Sequence, residues 1–393
     1  MYSSSLVKLF TILLLLSNFL GAETIKFGLG SCLDQNYPQP IWTSIEKEKL
    51  NFFVFLGDNV YGDLPSGSLI KMKYAYKKQR SILPEFLDQM EVYSIWDDHD
   101  FGINDGGGDY KLKKNSKKMF LDFWEIPKND IRHKREGVYF SDKKIFYDKK
   151  FKLIFLDTRY FRSKLIKEND TYIKNEDGTI LGKEQWNWFY EELKDDFDFL
   201  IVFSSIQILA EDHRFEKWSN FPSEKNKLLD YLHEFKGKTL LVSGDRHRGG
   251  MYKKNNLIEI TASSLNKPGS FDFESDRYLV GKTFPEENYG TIEISKTAIK
   301  EKKDPADIDF TATDLDRKAA DKNIFVQLKR AQDMKGKGDI EFLDKKKKKV
   351  DIRIINKAID MMMKMKPADR AKMQTAIGKS YKDLLKTVQR GKV

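Results

Sequence analysis

Cysteine is what this 393-residue chain lacks most: Cys32 stands alone, so no internal disulfide can form. The absence carries weight because the first 22 residues read as an export signal, and export delivers a protein to compartments where disulfides form. An isolated thiol then has two uses, burial as a small hydrophobe or service as a metal thiolate. A membrane-spanning run is lacking too. The mainly apolar stretch Leu9 to Leu20 falls short of the roughly 20 residues a comfortable span needs. No cysteine follows it closely enough to suggest a lipoprotein. With Lys8 near its start and Gly21-Ala22 after it, the stretch fits a cleavable signal of a periplasmic or secreted protein; left uncleaved, it would be a membrane anchor.

Net charge is missing where a nucleic-acid binder would need it. The chain totals +10, yet residues 1–300 hold 45 basic and 45 acidic residues, while residues 301–393 hold 25 and 15. Charge therefore gives the larger part no reason to seek a polyanion. The last quarter also lacks tryptophan and has few aromatics. It carries the run Lys345 to Lys349, clustered methionines from Met361 to Met373, and helical periodicity at Phe325, Leu328 and Ala331, at Ile352, Ile355 and Ile359, and at Leu384, Leu385 and Val388. No internal repeat is evident. The reading is a signal at 1–22, one large domain at 23–300 and a basic, mainly α-helical extension at 301–393 of unknown role.

What is present is a rich core, with 40% hydrophobic and 13% aromatic residues. The run Asn51 to Leu56 reads as a buried strand that ends in the turn Gly57-Asp58. Further strands are expected at Thr24 to Cys32, ending in a Gly-Ser turn, and at Val92 to Trp96, Lys152 to Leu156, Phe199 to Phe203, Thr239 to Ser243, Leu257 to Thr261 and Tyr289 to Ile294. Helices are expected at Pro40 to Leu50, over 66–90 with an interruption at Pro84, at Lys111 to Trp124, Gly182 to Lys194 and Ser223 to Phe235. Gly137 to Phe140 and Lys144 to Tyr147 look like a hairpin, and 163–180 like an exposed loop. Strand, charged turn and helix in alternation mark a layered α/β architecture.

The chemistry gathers at the strand ends: Cys32, Asp58 with Tyr61, Asp98-His99 with Asn104 downstream, Asp157 with Arg159, and Asp245 with His247. Carboxylates and amides offer oxygen to hard cations, imidazole and thiolate suit transition metals, and a phenolate suits trivalent iron. A carboxylate on a sharp turn can bridge two ions about 4 Å apart, which would clamp a phosphate and lower the pKa of a bound water. Taken singly each element is ordinary: a Gly-Asp turn, an Asp-x-His, a pairing of Arg159 with Asp157. Their spread over successive strand ends is what points to phosphate-ester hydrolysis. His213 has no such setting, His233 reads as structural and His133 as a surface residue.

Gly30-Ser31-Cys32, Gly57-Asp58-x-x-Tyr61, Trp96-Asp97-Asp98-His99-Asp100 with Asn104, Asp157-Thr158-Arg159 and Ser243-Gly244-Asp245-x-His247 closely resemble, in that order, the motifs of the PhoD-like (alkaline phosphatase D) metallophosphatases. Ser205-Ile206-Gln207 and Glu216 to Pro222 are similar as well. The resemblance spans residues 24 to 295. It implies a four-layer α/β/β/α metallophosphoesterase sandwich holding ferric iron and calcium. On that pattern Cys32, Asp58, Tyr61 and His247 would hold iron, and Asp58, Asn104 and Asp245 calcium. Asp98 is the other choice for the second metal, since it aligns with the asparagine of the wider superfamily. His99 would serve the leaving oxygen as general acid, and Arg159 would bind phosphoryl oxygens.

The expected activity is thus a phosphoric ester hydrolase of alkaline phosphatase type, taking small phosphate esters and no specific nucleic-acid partner. A phosphodiesterase or phospholipase of the same fold is the nearest alternative. A different class would be a surface or anion-binding protein working through its basic tail, where Lys345 to Lys349 could touch anionic surfaces. The interspersed acids there make a solvated helical face the plainer reading.

Overall fold

The computed structural model describes residues 24–269, 274–295, 324–333, 339–363 and 367–390. The expected signal at 1–22 and the expected boundary near residue 300 lie outside them. The chain divides into two compact units, Met1–Thr311 and Ala312–Val393.

Two sheets organise the first unit. One joins β1 (Thr24–Gly30), β2 (Phe52–Leu56), β3 (Glu91–Ile95) and β12 (Gly290–Ser295) in the order β12-β1-β2-β3. The other joins β4 (Phe140–Phe146), β5 (Lys149–Phe155), β8 (Phe199–Ser204), β9 (Lys238–Ser243), β10 (Gly250–Lys254) and β11 (Leu257–Thr261) in the order β10-β11-β9-β8-β5-β4. Within each sheet the inner strands run parallel; β12, β10 and β4 pair antiparallel at the edges, while the edge strand β3 runs parallel to β2. Parallel strands need crossovers, and the crossovers lay helices on the outer faces.

The period of two within a strand then sorts side chains into layers. Phe52, Val54 and Leu56 of β2 join Leu153, Phe155, Phe203 and Val242 in a core between the sheets. Phe53 and Phe55 point the other way, onto Trp42 and Ile45 of α1 (Trp42–Lys47). On the second sheet Ile154, Leu200, Val202 and Leu241 face α5 (Gly182–Glu192) and α6 (Pro222–Glu234), through Trp186, Phe189, Leu228 and Leu232. The result is the four-layer α/β/β/α sandwich. Val54, with no exposed surface, is one position where an aspartate would break it, since an unpaired charge would enter the inner core.

Several local expectations need correction. The hairpin joins β4 to β5 rather than lying within 137–147, because Tyr147 and Asp148 both take positive φ (53° and 64°) as a type I′ turn requires. The stretch 163–180 is not all loop: β6 (Ile166–Glu168) and β7 (Thr171–Ile173) form a small hairpin of their own. The helix expected over 66–90 is α2 (Ile70–Arg80), with a separate single turn at Glu85–Gln89 after Pro84. Here also are α3 (Asp98–Phe101) and α4 (Lys113–Phe123). β10, too polar to be marked by periodicity, is an edge strand.

In the second unit, helices at Ile324–Asp333, Ile352–Met363 and Tyr381–Arg390 match the three periodic stretches, and a fourth spans Pro367–Gly378. Lys347–Lys349 is a short exposed strand paired with Asp339–Glu341, not a helical face. No helix among the described residues is long and apolar enough to cross a membrane.

Candidate metal centre

The expected ligands lie at the C-terminal ends of parallel strands from both sheets. Cys32 follows β1, Asp58 and Tyr61 follow β2, Asp97, Asp98 and His99 follow β3, and Asp245 and His247 follow β9. The strand ends of the two sheets meet at Gly244, where a Cβ would stand 2.7 Å from the Leu56 carbonyl oxygen and 2.8 Å from Ser31 Oγ. Gly57 has φ of 101° and leaves no room for a Cβ beside Asp97. The residues that leave these strands bend sharply: φ is 57° at Cys32, 51° at Asp58, 66° at Asp245 and 52° at His247. Left-handed backbone costs a non-glycine residue about 1 kcal/mol or more. Four such residues at converging strand ends is strain of the kind functional sites store.

Their side chains form three overlapping groups, each with ligand atoms within 4.8 Å of one another: Cys32, Asp58 and His247; Asp58, Asp98 and His99; Asp97, Asp98 and Asp245. Asp58 is shared by the first two and Asp98 by the last two. Tyr61 Oη donates to Asp58 Oδ2 at 3.0 Å, which brings the phenol to the first group. Cys32 Sγ lies 3.7 Å from Asp58 Oδ2 and 3.2 Å from Ser263 Oγ.

Burial, then the negative neighbours, pushes Cys32, Asp58, Tyr61 and Asp245 well above their usual ranges. Asp100, buried beside Asp97, is pushed up to about 7. Burial raises Asp98 as well, but the His99 and Arg159 charges outweigh it and hold this carboxyl below its usual range. His247 falls to about 4, chiefly from burial, and so presents a neutral imidazole. A cation placed among these groups would stabilise their anionic forms.

The donors fit metals. Asp97 Oδ2 and Asp98 Oδ1 are buried without a hydrogen-bond partner, an arrangement that costs free energy unless something binds them. Thiol, phenol and imidazole gather at one end and carboxylates at the other, which suits two metals of different hardness.

His99 lies in the cluster, and the structure adds its orienting partner. Nδ1 lies 2.7 Å from Asp63 Oδ1, which leaves Nε2 for a substrate, and the ring packs on Tyr61 with centroids 4.3 Å apart. Asn104 is exposed on the next loop with its amide on Asp105 Oδ2, and the residue that touches the cluster there is Asp105, whose N–H donates to Asp98 Oδ2 at 2.7 Å.

Arg159 also differs from expectation. Its guanidinium is fully buried, with Nε 2.6 Å from Asp97 Oδ1 and Nη1 2.5 Å from Glu216 Oε2. Glu216 in turn pairs with Arg162 at 2.8 Å. The fork is thus occupied by protein carboxylates, with Nη2 alone lacking a partner. Asp157 does not pair with that guanidinium; it accepts backbone N–H groups of Val138, Arg159 and Tyr160 and shapes the turn.

Sequence reasoning passed over Asp63, Ser263 and Lys267. Lys267 Nζ stands 3.8 Å from the centre of the Tyr61 ring and 2.7 Å from Asp34, and its carbonyl accepts from His247 Nδ1. Ser263 and Lys267 follow β11, so the strand-end rule, applied once more, would have found them. Of the other histidines, His213 is buried with Nε2 2.9 Å from Gln207 Oε1, His133 is half-buried against the Ile126 carbonyl, and His233 is exposed.

Two face-to-face sheets under helices, with thiol, phenol, imidazole and carboxylates at their strand ends, define a metallophosphoesterase-type protein. The sequence profile of the PhoD-like phosphatases matches residues 27–316, and the chain belongs to that family. Among solved structures it is similar to PhoD (15% identity, TM-score 0.57), over 70% of this chain and 64% of that one. It is also similar to GAP50, the anchor in the inner membrane complex of Plasmodium (13%, TM-score 0.46, 70% and 82%). A third match is a putative 5'-nucleotidase from Staphylococcus aureus (12%, TM-score 0.36, 67% and 54%). This chain therefore spans less than two thirds of the length of PhoD. Comparison with curated proteins gave no match.

Proposed function

We propose that this chain is a metal-dependent phosphoric ester hydrolase of alkaline phosphatase type, acting on small phosphate esters outside the cytoplasm. The observation that carries the reading is the overlap of three ligand groups through Asp58 and Asp98. On this reading Cys32, Asp58, Tyr61 and His247 would hold ferric iron, and Asp58, Asp98 and Asp245 would hold calcium, with Asp97 beside them. When bound, the metal pair would supply Lewis-acid charge to the phosphoryl group and acidify water.

The chain's own residues would do the rest. His99 Nε2 is positioned to hand a proton to the leaving oxygen, with Nδ1 fixed by Asp63. Arg159 acts at one remove, holding Asp97 in place. Burial of the thiol and phenol keeps bulk water from competing for the softer metal.

Elemental analysis with an absorption spectrum tests the metal assignment. A phenolate on ferric iron gives a visible charge-transfer band, so Tyr61→Phe should abolish the band with the far-ultraviolet circular dichroism unchanged. A colourless parent protein containing no iron would reject that assignment. Hydrolysis of a phosphomonoester and a phosphodiester by parent, Cys32→Ser and Asp58→Ala tests the activity and separates the phosphatase from the phosphodiesterase reading. Equal rates in all three proteins would reject the centre altogether.

A further inference from the structure

The first 300 residues carry no net charge, yet their cations are unevenly placed. Residues 64–84 contain no acidic residue and five basic ones, and residues 111–121 contain none and five lysines. These stretches are α2 and α4, which lie side by side: the Tyr76 and Phe123 rings are 4.7 Å apart and the Arg80 guanidinium caps Phe123 at 4.9 Å. Their inner faces join one core through Met72, Ala75, Tyr76, Phe120, Leu121 and Phe123. The cations are thereby left on the outer sides of the two helices.

Not all ten point outward. Lys113 and Lys117 turn onto backbone carbonyls, Lys78 onto Asn36, Arg80 onto Glu125 at 3.3 Å and Lys114 onto Glu136 at 3.8 Å. Lys71, Lys73, Lys77, Lys111 and Lys118 remain exposed and form no ion pair among the described residues. The same stretches carry large apolar side chains that packing does not cover: Ile70 is 74% exposed, Tyr74 71% and Leu112 37%. Ile70 and Tyr74 are four apart on one helix, so they project from the same face. The face also reaches the centre: Lys71 Nζ lies 3.4 Å from the carbonyl oxygen of Asp63, the residue that holds His99.

We propose that the outer face of α2, with the cations of neighbouring α4, docks on an anionic lipid surface and, resting on the hydrolase reading above, brings the metal centre to phosphate esters held there. Ile70, Lys73, Tyr74 and Lys77 fall at helical spacing on one exposed face of α2, and such a mixture of cations and apolar side chains matches the boundary between charged headgroups and acyl chains, which takes up both. A nucleic-acid duplex would meet the lysines but offer nothing to Ile70 and Leu112. The docking does not depend on the metal assignment, because no residue of the face is a ligand.

The test is co-sedimentation of the chain from residue 23 onward, freed of the apolar signal, with vesicles of phosphatidylcholine alone and of phosphatidylcholine mixed with phosphatidylglycerol, at low and high salt. The parent should bind the mixed vesicles only, and more weakly as salt rises. Lys73→Ala with Lys77→Ala should weaken partitioning about 30-fold at low salt, at ~1 kcal/mol for each removed cation. Ile70→Ser with Tyr74→Ser should remove the binding that survives high salt. Lys347→Ala with Lys348→Ala, in the basic second unit, should change little. All six positions are exposed, and matching circular dichroism will show that the variants fold. Binding of the Lys73/Lys77 variant as tight as the parent's would overturn the proposal. So would loss confined to the Lys347/Lys348 variant, a parent that ignores anionic vesicles, or a parent that prefers duplex DNA.

Discussion

Arg159 offers the sharpest test of the site, because ligand binding and scaffold support predict different losses on replacing it. Arg159, Arg162, Asp97 and Glu216 form a buried group with two charges of each sign, joined by contacts of 2.6, 2.5 and 2.8 Å. Arg159→Met keeps the length of the side chain and leaves the group with one excess negative charge. Removing one partner of a buried pair costs about 3–5 kcal/mol, which for a unit of this size corresponds to a fall in Tm of roughly 10 °C. Asp97 belongs to the metal groups, so a bound cation would offset part of the loss, and the cost should be larger after chelation. Adding Glu216→Gln restores neutrality, and the double variant should be more stable than Arg159→Met alone. Urea denaturation of the four proteins, with and without EDTA, measures the cycle. If Arg159→Met unfolds within about 1 kcal/mol of the parent while its KM rises steeply, Arg159 is a substrate ligand and the structural argument is refuted.

Three further outcomes are expected. Asp63→Asn removes the charge that orients His99 and should lower kcat roughly 10–100-fold with metal content unchanged; a parallel loss of metal would assign Asp63 to the metal shell. Gly244→Ala places a methyl against the Leu56 carbonyl and should cost about 1–3 kcal/mol and reduce metal stoichiometry, read by elemental analysis. The third concerns acid stability. Burial, with Arg246 and Lys217 nearby, holds His213 well below the usual histidine range. The unfolded chain therefore takes up a proton near pH 6.5 that the folded protein refuses, and stability falls as pH drops below that value, by at most ~1.4 kcal/mol per unit. His213→Gln should flatten this slope in denaturation curves at neutral and mildly acidic pH, and an unchanged slope would move its origin elsewhere.

How much of this was legible beforehand differs by element. β2 could be read from its run of five apolar residues, all buried, because a parallel strand covered on both faces has no polar alternation to blur it. The turn to Asp58 was legible for the same reason, as an abrupt end to that run. β10 was not, since an edge strand with Lys253 and Lys254 looks like loop until a neighbour supplies its hydrogen bonds. Asp63 was passed over because nothing local distinguishes it from any acid beside a turn; its meaning depends on His99, 36 residues away.

By itself, the order of residues determined the layers, the strand-end placement of thiol, phenol, imidazole and carboxylate, and the family, since all of these follow from local periodicity and short-range motifs. Tertiary structure alone decided which ends meet. Gly244 brings β9 against β2, and through that contact Asp245 and His247 reach Asp58. It also decided that Arg159 faces Asp97 and Glu216, a pairing over 62 and 57 residues that no local pattern encodes. Bends of the backbone at Cys32, Asp58, Asp245 and His247 belong to the same category: a left-handed residue off glycine is held there by the surrounding packing, which exists only once the two sheets have closed on each other.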